Sequence, residues 1–148
     1  MKIYVGCDHN GFELKRQIKD YLERLGHDVV DEGDDKIDPE DDYPIFAARV
    51  VTKMLSGGEP EPRGILICGS GQGMCIAANR FKGIRACLCW NSAEAHAARN
   101  DDNSNVLCLS ARLFNIEEAE NITSVWLSTP FAGATRFIRR IKDLDELT

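Results

Sequence analysis

The segment best suited to carry out chemistry is a glycine-rich hexapeptide that follows an apolar run, Cys68-Gly69-Ser70-Gly71-Gln72-Gly73. Alternate glycines let the backbone approach a ligand closely and direct its amide N–H groups toward an anion. A thiol beside such a nest is predicted to ionise more readily, and a thiolate is a base or a nucleophile. A buried strand cysteine is the alternative. The segment lacks the Gly-Lys-Ser/Thr ending of a P-loop, and Met74 stands where a dinucleotide fingerprint has its third glycine.

A second polar group follows the first apolar run of the chain, at Cys7-Asp8-His9-Asn10-Gly11. A carboxylate and an imidazole at the end of a strand are suited to ligand binding. The same residues also fit helix capping, with Asp8 or Asn10 as the N-cap and Gly11 in the turn. The sequence leaves both interpretations open.

Positive charge for an anionic ligand is available near the C-terminus. Arg136 and Arg140 are four residues apart on a predicted helix, and therefore on one face, where they could grip a phosphate group. Surface ion pairs within the same helix, with Asp143 and Asp145, are the alternative. Arg112 adds positive charge whose placement the sequence does not define.

The elements that position these residues alternate between short apolar runs and amphipathic stretches. We predict strands over 3–7, 27–31, 65–68, 86–90 and 106–110, and helices over 11–25, 43–55, 74–80, 92–99, 116–127 and 135–147. Apolar strands with helical crossovers indicate a parallel sheet covered on both faces. We therefore predict one α/β domain over 1–148, a Rossmann-like, doubly wound sheet of five parallel strands with a C-terminal helix. Ligands bind such folds beyond the carboxyl ends of the strands.

Composition excludes several classes of protein. The net charge is −6 and no Lys/Arg run exceeds two residues, which disfavours nucleic-acid binding. The six cysteines form no CxxC pair and there are three histidines, so we predict neither a metal site nor a disulfide framework. No apolar run is long enough for a signal peptide or a membrane span. We expect a cytoplasmic protein with reduced thiols and no membrane partner.

Taken together, these motifs resemble the ribose-5-phosphate isomerase B family, which includes the galactose-6-phosphate isomerase subunits. The resemblance covers nearly the whole chain. It is carried by CDH at 7–9 with Gly11, DYP at 42–44, GILICGSG at 64–71 with Gly73, IAAN at 76–79, GIRA at 83–86, NVL at 105–107, and Arg136 with RRI at 139–141.

The resemblance implies aldose–ketose interconversion of a sugar phosphate through a cis-enediolate, without a metal or cofactor. The first expectation for the substrate is D-ribose 5-phosphate, converted to D-ribulose 5-phosphate. Cys68 stands in the position of the base that moves a proton between C2 and C1, and Ser70 in that of a residue bonding a substrate oxygen. The enediolate would be held by loop amides, which include those of Gly69, Gly71, Gln72 and Gly73.

The resemblance also implies how the rest of the substrate is bound. Asp8 and His9 would contact the sugar, and Tyr43 would wall the pocket. The phosphate would be held by Arg112, Arg136 and Arg140. Sites in this family are shared between two subunits, so the resemblance implies a homodimer or a dimer of dimers.

The chain departs from the family pattern where the family usually has a His-Asn pair, whose histidine opens the furanose ring. Asp101 and Asp102 stand there, and Phe137 replaces a common histidine after Arg136. Asp101 is one candidate for the ring-opening acid–base, although a carboxyl group is ordinarily a poor acid at neutral pH. A substrate that forms no furanose, such as a tetrose 4-phosphate, is the second interpretation, and ring opening by solvent is the third. Asp102 is expected to contact the substrate.

Two alternatives to the ribose assignment remain. One is an isomerase of another sugar phosphate, either the open-chain tetrose 4-phosphate or a hexose 6-phosphate. The other is a sugar-phosphate-binding module without turnover. The joint presence of Cys68, Ser70, Asp8 and His9 disfavours that module, because binding alone requires no thiol base.

Overall fold

A five-stranded parallel sheet organises the chain. The computed structural model describes residues 1–113 and 115–147. The strands are β1 (Lys2–Cys7), β2 (Asp28–Asp31), β3 (Arg63–Cys68), β4 (Ala86–Leu88) and β5 (Val106–Ser110), and they lie in the order β2-β1-β3-β5-β4. Every pair is parallel, as predicted.

Six α-helices connect or follow the strands in the described residues. They are α1 (Phe12–Arg24), α2 (Tyr43–Ser56), α3 (Gln72–Ala78), α4 (Ser92–Asn100), α5 (Ile116–Ser128) and α6 (Thr135–Asp145). The predicted helix over 74–80 begins earlier because Gly71, in the left-handed conformation, serves as its N-cap. A short 3₁₀ turn, His9–Gly11, precedes α1 and was not predicted.

Two apolar layers cover the two faces of the sheet, as expected for a doubly wound fold. Alternate strand residues point to opposite faces: Ile65 and Ile67 pack with α1, α4 and α5, whereas Leu66 and Cys68 pack with α2 and α3. The fold class predicted from the sequence is confirmed.

The strand order defines where a ligand site can form. The chain leaves β1 toward β2 on one side and later places β3 on the other side, so the order reverses between β1 and β3. Cys7 pairs with Ile67, and Cys68 pairs with Ser110, so these strands end together. We call this end of the sheet the carboxyl edge and the opposite end the amino edge. The crevice at the carboxyl edge is the expected ligand site.

The last helix, α6, contributes little to the core of its own chain. Phe137 is its one buried residue, and Ile138 and Leu144 are about half exposed. An amphipathic helix with an uncovered apolar stripe is typical of an interface.

Trp126 is the side chain whose removal should damage the fold most clearly. It lies on α5 and is fully buried in the apolar layer that α1, α4 and α5 form with the sheet, and its Nε1 donates to Ser104 Oγ at 2.8 Å. We expect Trp126→Ala to lower the free energy of unfolding by about 3 to 5 kcal/mol, measured by urea denaturation. Trp90 is 57% exposed, so Trp90→Ala serves as the control and should change stability little. Equal losses in the two variants would contradict this description of the core.

Candidate active site

Cys68 is the last residue of β3 and lies at the entrance to the glycine-rich loop. Its side chain is 5% exposed, and its Sγ accepts a hydrogen bond from the Gly71 amide at 3.1 Å. Gly71 adopts φ +75°, which turns the chain from β3 into α3. The loop thus folds back over the thiol and fixes the position of the sulfur.

The glycine-rich loop is held in place by hydrogen bonds from the end of β5 and from the residues that follow this strand. Ser110 is fully buried and donates its Oγ–H to the Gly69 carbonyl at 2.9 Å, and the Arg112 amide donates to the same oxygen at 3.1 Å. Ser110 was not predicted as a site residue. A hydroxyl at the end of an otherwise apolar strand was the only signal for it in the sequence.

Two of the amides predicted to hold an enediolate already have partners within the chain. The Gly71 amide donates to Cys68, and the Gln72 amide donates to Ser70 Oγ at 3.3 Å. Ser70 and Gln72 are exposed, whereas Gly69 is buried. Ser70 therefore stands at the surface of the loop, where its hydroxyl is within reach of a ligand.

The end of β1 packs closely against the end of β3. A Cβ on Gly11 would lie 2.5 Å from the Ile67 carbonyl oxygen, so only glycine permits this approach. Asp8 is buried and its Oδ1 accepts a hydrogen bond from the Gly11 amide at 3.1 Å. The capping interpretation of Asp8 is thus confirmed, and its carboxylate is held at the Gly11 turn, which packs against the end of β3.

His9 forms a pair with a residue that the sequence did not single out. Its Nδ1 lies 2.6 Å from Asp41 Oδ1, and this hydrogen bond raises the pKa of His9 above its ordinary value. Asp41 belongs to the acidic segment over 32–42, which the sequence predicts only as a loop. Asp8, His9 and Asp41 bring one potential metal-ligand atom each within 4.8 Å of one another. Hydrogen bonds already engage one atom of each of the three groups: Asp8 Oδ1 accepts from the Gly11 amide, and His9 Nδ1 pairs with Asp41 Oδ1.

Tyr43 lies against the start of α3. Its ring contacts Gly73 so closely that a Cβ on that glycine would lie 2.9 Å from Tyr43 Cζ. Tyr43 is the first residue of α2 and is 39% exposed. It therefore packs against the loop at the start of α3, and its predicted role in walling a substrate pocket stays a prediction.

A cleft of about 440 Å³ opens along the other flank of the loop, beyond β3, β5 and β4. Its polar side includes Gly69, Ser70 and Gln72, and its apolar side includes Leu88 and Trp90. The Arg112 guanidinium lies over Gly69, about 3.1 Å from where a Cβ would stand. The carboxyl edge thus brings together the thiol, the glycine-rich loop, the Arg112 cation, Asp8 and the His9–Asp41 pair.

Four predicted residues lie elsewhere, toward the amino edge. Asp101 directly follows α4 and accepts a hydrogen bond from Asn100 Nδ2 at 2.7 Å, while the Asp102 carbonyl accepts from Nε of Arg85, the residue before β4. Strand β5 alone separates the two edges by about 13 Å at about 3.3 Å per residue. These aspartates therefore do not meet Cys68 of the same chain.

Arg136 and Arg140 are exposed on α6, on the same side of the molecule as these aspartates. The segment leading into α6 is tied to the end of α4, because the Ala132 amide donates to the Asn100 carbonyl at 3.0 Å. The Arg136 guanidinium lies over the Phe137 ring, 4.8 Å from its centroid. The predicted phosphate ligands are thus split between Arg112 at the carboxyl edge and the α6 arginines.

Gly71 offers a test of how tightly the loop is built. A Cβ there would lie 2.5 Å from Leu88 Cδ1 and 3.1 Å from the backbone of Leu109, in addition to the left-handed φ. Gly26 has φ +81° with open space around it. By urea denaturation, Gly26→Ala should cost about 1 to 2 kcal/mol of unfolding free energy, and Gly71→Ala should cost more. A smaller loss for Gly71→Ala would show that the loop yields readily.

Comparison with known proteins gives a consistent result. Residues 3–144 match the family described as Ribose/Galactose Isomerase. Ribose-5-phosphate isomerase B of Mycolicibacterium paratuberculosis is 39% identical over 146 residues, which cover 99% of this chain and 91% of that protein.

Solved structures agree over nearly the full length. A ribose 5-phosphate isomerase from Thermotoga maritima has a TM-score of 0.92 and 46% identity, covering 98% of this chain and 97% of that one. Ribose-5-phosphate isomerase B from Mycoplasma genitalium, with bound ribulose-5-phosphate, has a TM-score of 0.93 and 40% identity, covering 99% and 95%. The resemblance seen in the motifs is confirmed, and this chain belongs to the Ribose/Galactose Isomerase family.

Proposed function

We propose that this protein is an aldose–ketose isomerase that interconverts D-ribose 5-phosphate and D-ribulose 5-phosphate without a cofactor. The observation that carries the proposal is the Cys68 sulfur, fixed by the Gly71 amide where β3 enters the glycine-rich loop. Support also comes from a relative 40% identical to this chain that holds ribulose-5-phosphate.

The proposed reaction moves one proton between adjacent carbons. The Cys68 thiolate removes the proton from C2 of the open-chain aldose, and the electron pair forms the C1–C2 double bond of a cis-enediolate. The thiol then returns the proton to C1 as the C2 hydroxyl loses its proton and the ketone forms. O1, which carries the negative charge of the enediolate, takes up a proton in turn, so the net transfer from O2 to O1 runs directly, through solvent or through a neighbouring group. A positioned base contributes about 10² to 10⁴ in rate for such a transfer.

Charge developing on the enediolate oxygens requires donors that are already in place. We assign this role to Ser70 Oγ and to the loop amides not engaged within the chain. Asp8 and His9 would contact sugar hydroxyls from the β1 side, and Arg112 would take the phosphate from the β5 side. This assignment spreads the substrate across the glycine-rich loop.

The position of the remaining predicted residues supports a shared site. Asp101, Asp102, Arg136 and Arg140 lie away from Cys68 in their own chain, and α6 exposes an apolar stripe. In a two-fold dimer, each subunit would offer its amino edge and α6 to the carboxyl edge of its partner. We therefore propose a homodimer, or a dimer of such dimers, with two sites per pair.

The six free thiols support a cytoplasmic location.

No helix within residues 1–113 and 115–147 combines the length and the apolar character needed to cross a bilayer.

The presence of an aspartate at position 101 is the reason to consider a second substrate. An aspartate in the ring-opening position suits either an aldose that opens by itself or a tetrose 4-phosphate that forms no furanose. Ketose formation should therefore be compared for D-ribose 5-phosphate, D-erythrose 4-phosphate and a hexose 6-phosphate. We expect the highest kcat/KM with ribose 5-phosphate. A higher value for the tetrose would reassign the substrate and retain the mechanism, and binding of all three without turnover would indicate a binding module.

A further inference from the structure

The contact between His9 and Asp41 joins two segments that are distant in sequence. Asp41 lies in the loop before α2, and His9 lies in the 3₁₀ turn after β1. The 2.6 Å separation of His9 Nδ1 and Asp41 Oδ1 is that of a strong, charge-assisted hydrogen bond. The Asp41 side chain is 7% exposed and that of His9 is 28% exposed. The carboxylate is therefore buried behind the imidazole, which faces the open side.

This contact fixes the orientation of the imidazole ring. Because a carboxylate only accepts hydrogen bonds, Nδ1 must carry a proton. Nε2 is then the atom left for a ligand, and it lies 3.0 Å from the exposed side-chain amide of Asn10. The Asn10 amide can turn to present either its oxygen or its nitrogen, so it can satisfy Nε2 with or without a proton. A ligand oxygen could take the place of that amide.

The burial of Asp41 favours a charged partner. Its Oδ2 is buried and has no hydrogen-bond partner among the described residues, so the carboxylate depends on His9 for compensation. A buried carboxylate with a single neutral partner is costly, and a cationic partner reduces that cost. The charged groups acting on the imidazole are Asp41, Asp8 and Asp38, which are all acidic and raise the pKa of His9.

We propose that Asp41 is a positioning residue that holds His9 as an imidazolium, with Nε2–H presented to an oxygen of the sugar phosphate. The inference rests on the proposed function for the identity of the ligand, but not for the state of His9. Like the Arg112 guanidinium across the loop, the imidazolium places positive charge at the carboxyl edge of an acidic protein. Asp41 itself touches no substrate atom in this proposal.

The state of His9 is tested first, by NMR titration of the three histidines in the wild type, Asp41→Asn and Asp35→Asn. Asp35→Asn removes one exposed charge from the same loop and is the matched control. His27 is an internal reference, because burial and the N-terminal amino group lower its pKa. We expect His9 to titrate above the ordinary value of about 6.5. In Asp41→Asn alone, His9 should titrate at lower pH. An unchanged His9 titration in Asp41→Asn would overturn the inference.

Kinetics then separates positioning from a structural role. While His9 is an imidazolium that binds an oxygen of the substrate, KM should stay low. KM should rise as the pH increases past the His9 pKa, because the imidazole then loses the proton that makes this bond. In Asp41→Asn this rise in KM should occur at lower pH, with KM at neutral pH raised by about tenfold and kcat changed much less. Loss of kcat at every pH with an unchanged KM profile would contradict the inference.

The two proposals can fail separately. If the wild type converts no sugar phosphate, the proposed function is wrong, while the titration still decides the state of His9. Ribulose 5-phosphate, added as a probe, should then shift the His9 resonance more in the wild type than in Asp41→Asn. Equal shifts would reject the positioning role.

Discussion

Replacing Cys68 with alanine is expected to lower kcat for isomerisation by about 10²- to 10⁴-fold, with little change in KM. The sulfur is the one group assigned to both removal and return of the proton. Its side chain is buried at a strand end, where loss of a single sulfur should leave the loop largely in place. Initial rates of ketose formation measure the effect, and circular dichroism checks that the variant is folded.

Cys75 provides the matched control, because it is the strongest rival among the thiols. The pKa of Cys75 is lowered to about 7, mainly by a hydrogen bond from Cys108. However, its Sγ lies 3.4 Å from the Ala86 carbonyl and 3.6 Å from Asn79 Nδ2, on the β4 side of α3. Cys75→Ala should therefore keep kcat within a few-fold of the wild type. Loss of activity in Cys75→Ala with retention in Cys68→Ala would reassign the base.

Subunits with defects at opposite edges should restore each other. We expect homodimers of Cys68→Ala and homodimers of the Arg136→Ala/Arg140→Ala double variant to be nearly inactive. A heterodimer purified through two different affinity tags would contain one site with the intact thiol and both intact arginines. Its activity should be about half that of the wild-type dimer, since one of its two symmetric sites is complete.

The reverse arrangement is the control for this complementation. Here one subunit carries all three substitutions and its partner is wild type, so each shared site has one defect and the heterodimer should be inactive. If each site were built within one chain, the results would exchange: the first heterodimer would be inactive and the second would have about half the wild-type activity. The pair of heterodimers thus decides whether Arg136 and Arg140 act across the interface.

The local pattern of apolar runs and turns in the sequence was sufficient to predict the fold. The apolar runs that end at Cys7 and Cys68 are strands because they are short, continuous and followed by glycine-containing turns, and the structure confirms both. Errors occurred at element ends. Helix α3 begins two residues before the predicted start, because the left-handed Gly71 is a cap rather than part of a longer loop.

The candidate site was predictable only where its residues belong to motifs. Asp41 carries no local signal and Ser110 only a hydroxyl at a strand end, because their roles arise from contacts made by the tertiary fold with His9 and Gly69. The position of Asp101 in the sequence also gave no indication that this residue lies away from Cys68 in the folded chain. That separation follows from α4 running back toward the amino edge before β5 begins.

The most direct test of the central claim is NMR of D-ribose 5-phosphate incubated with the protein in D₂O. A thiol base that exchanges with solvent should place deuterium at C1 of the ribulose 5-phosphate formed and, by reversal, at C2 of the remaining ribose 5-phosphate. Both signals should disappear in Cys68→Ala and persist in Cys75→Ala. Conversion and deuterium entry that continue undiminished in a folded Cys68→Ala protein would contradict the assignment of Cys68 as the base.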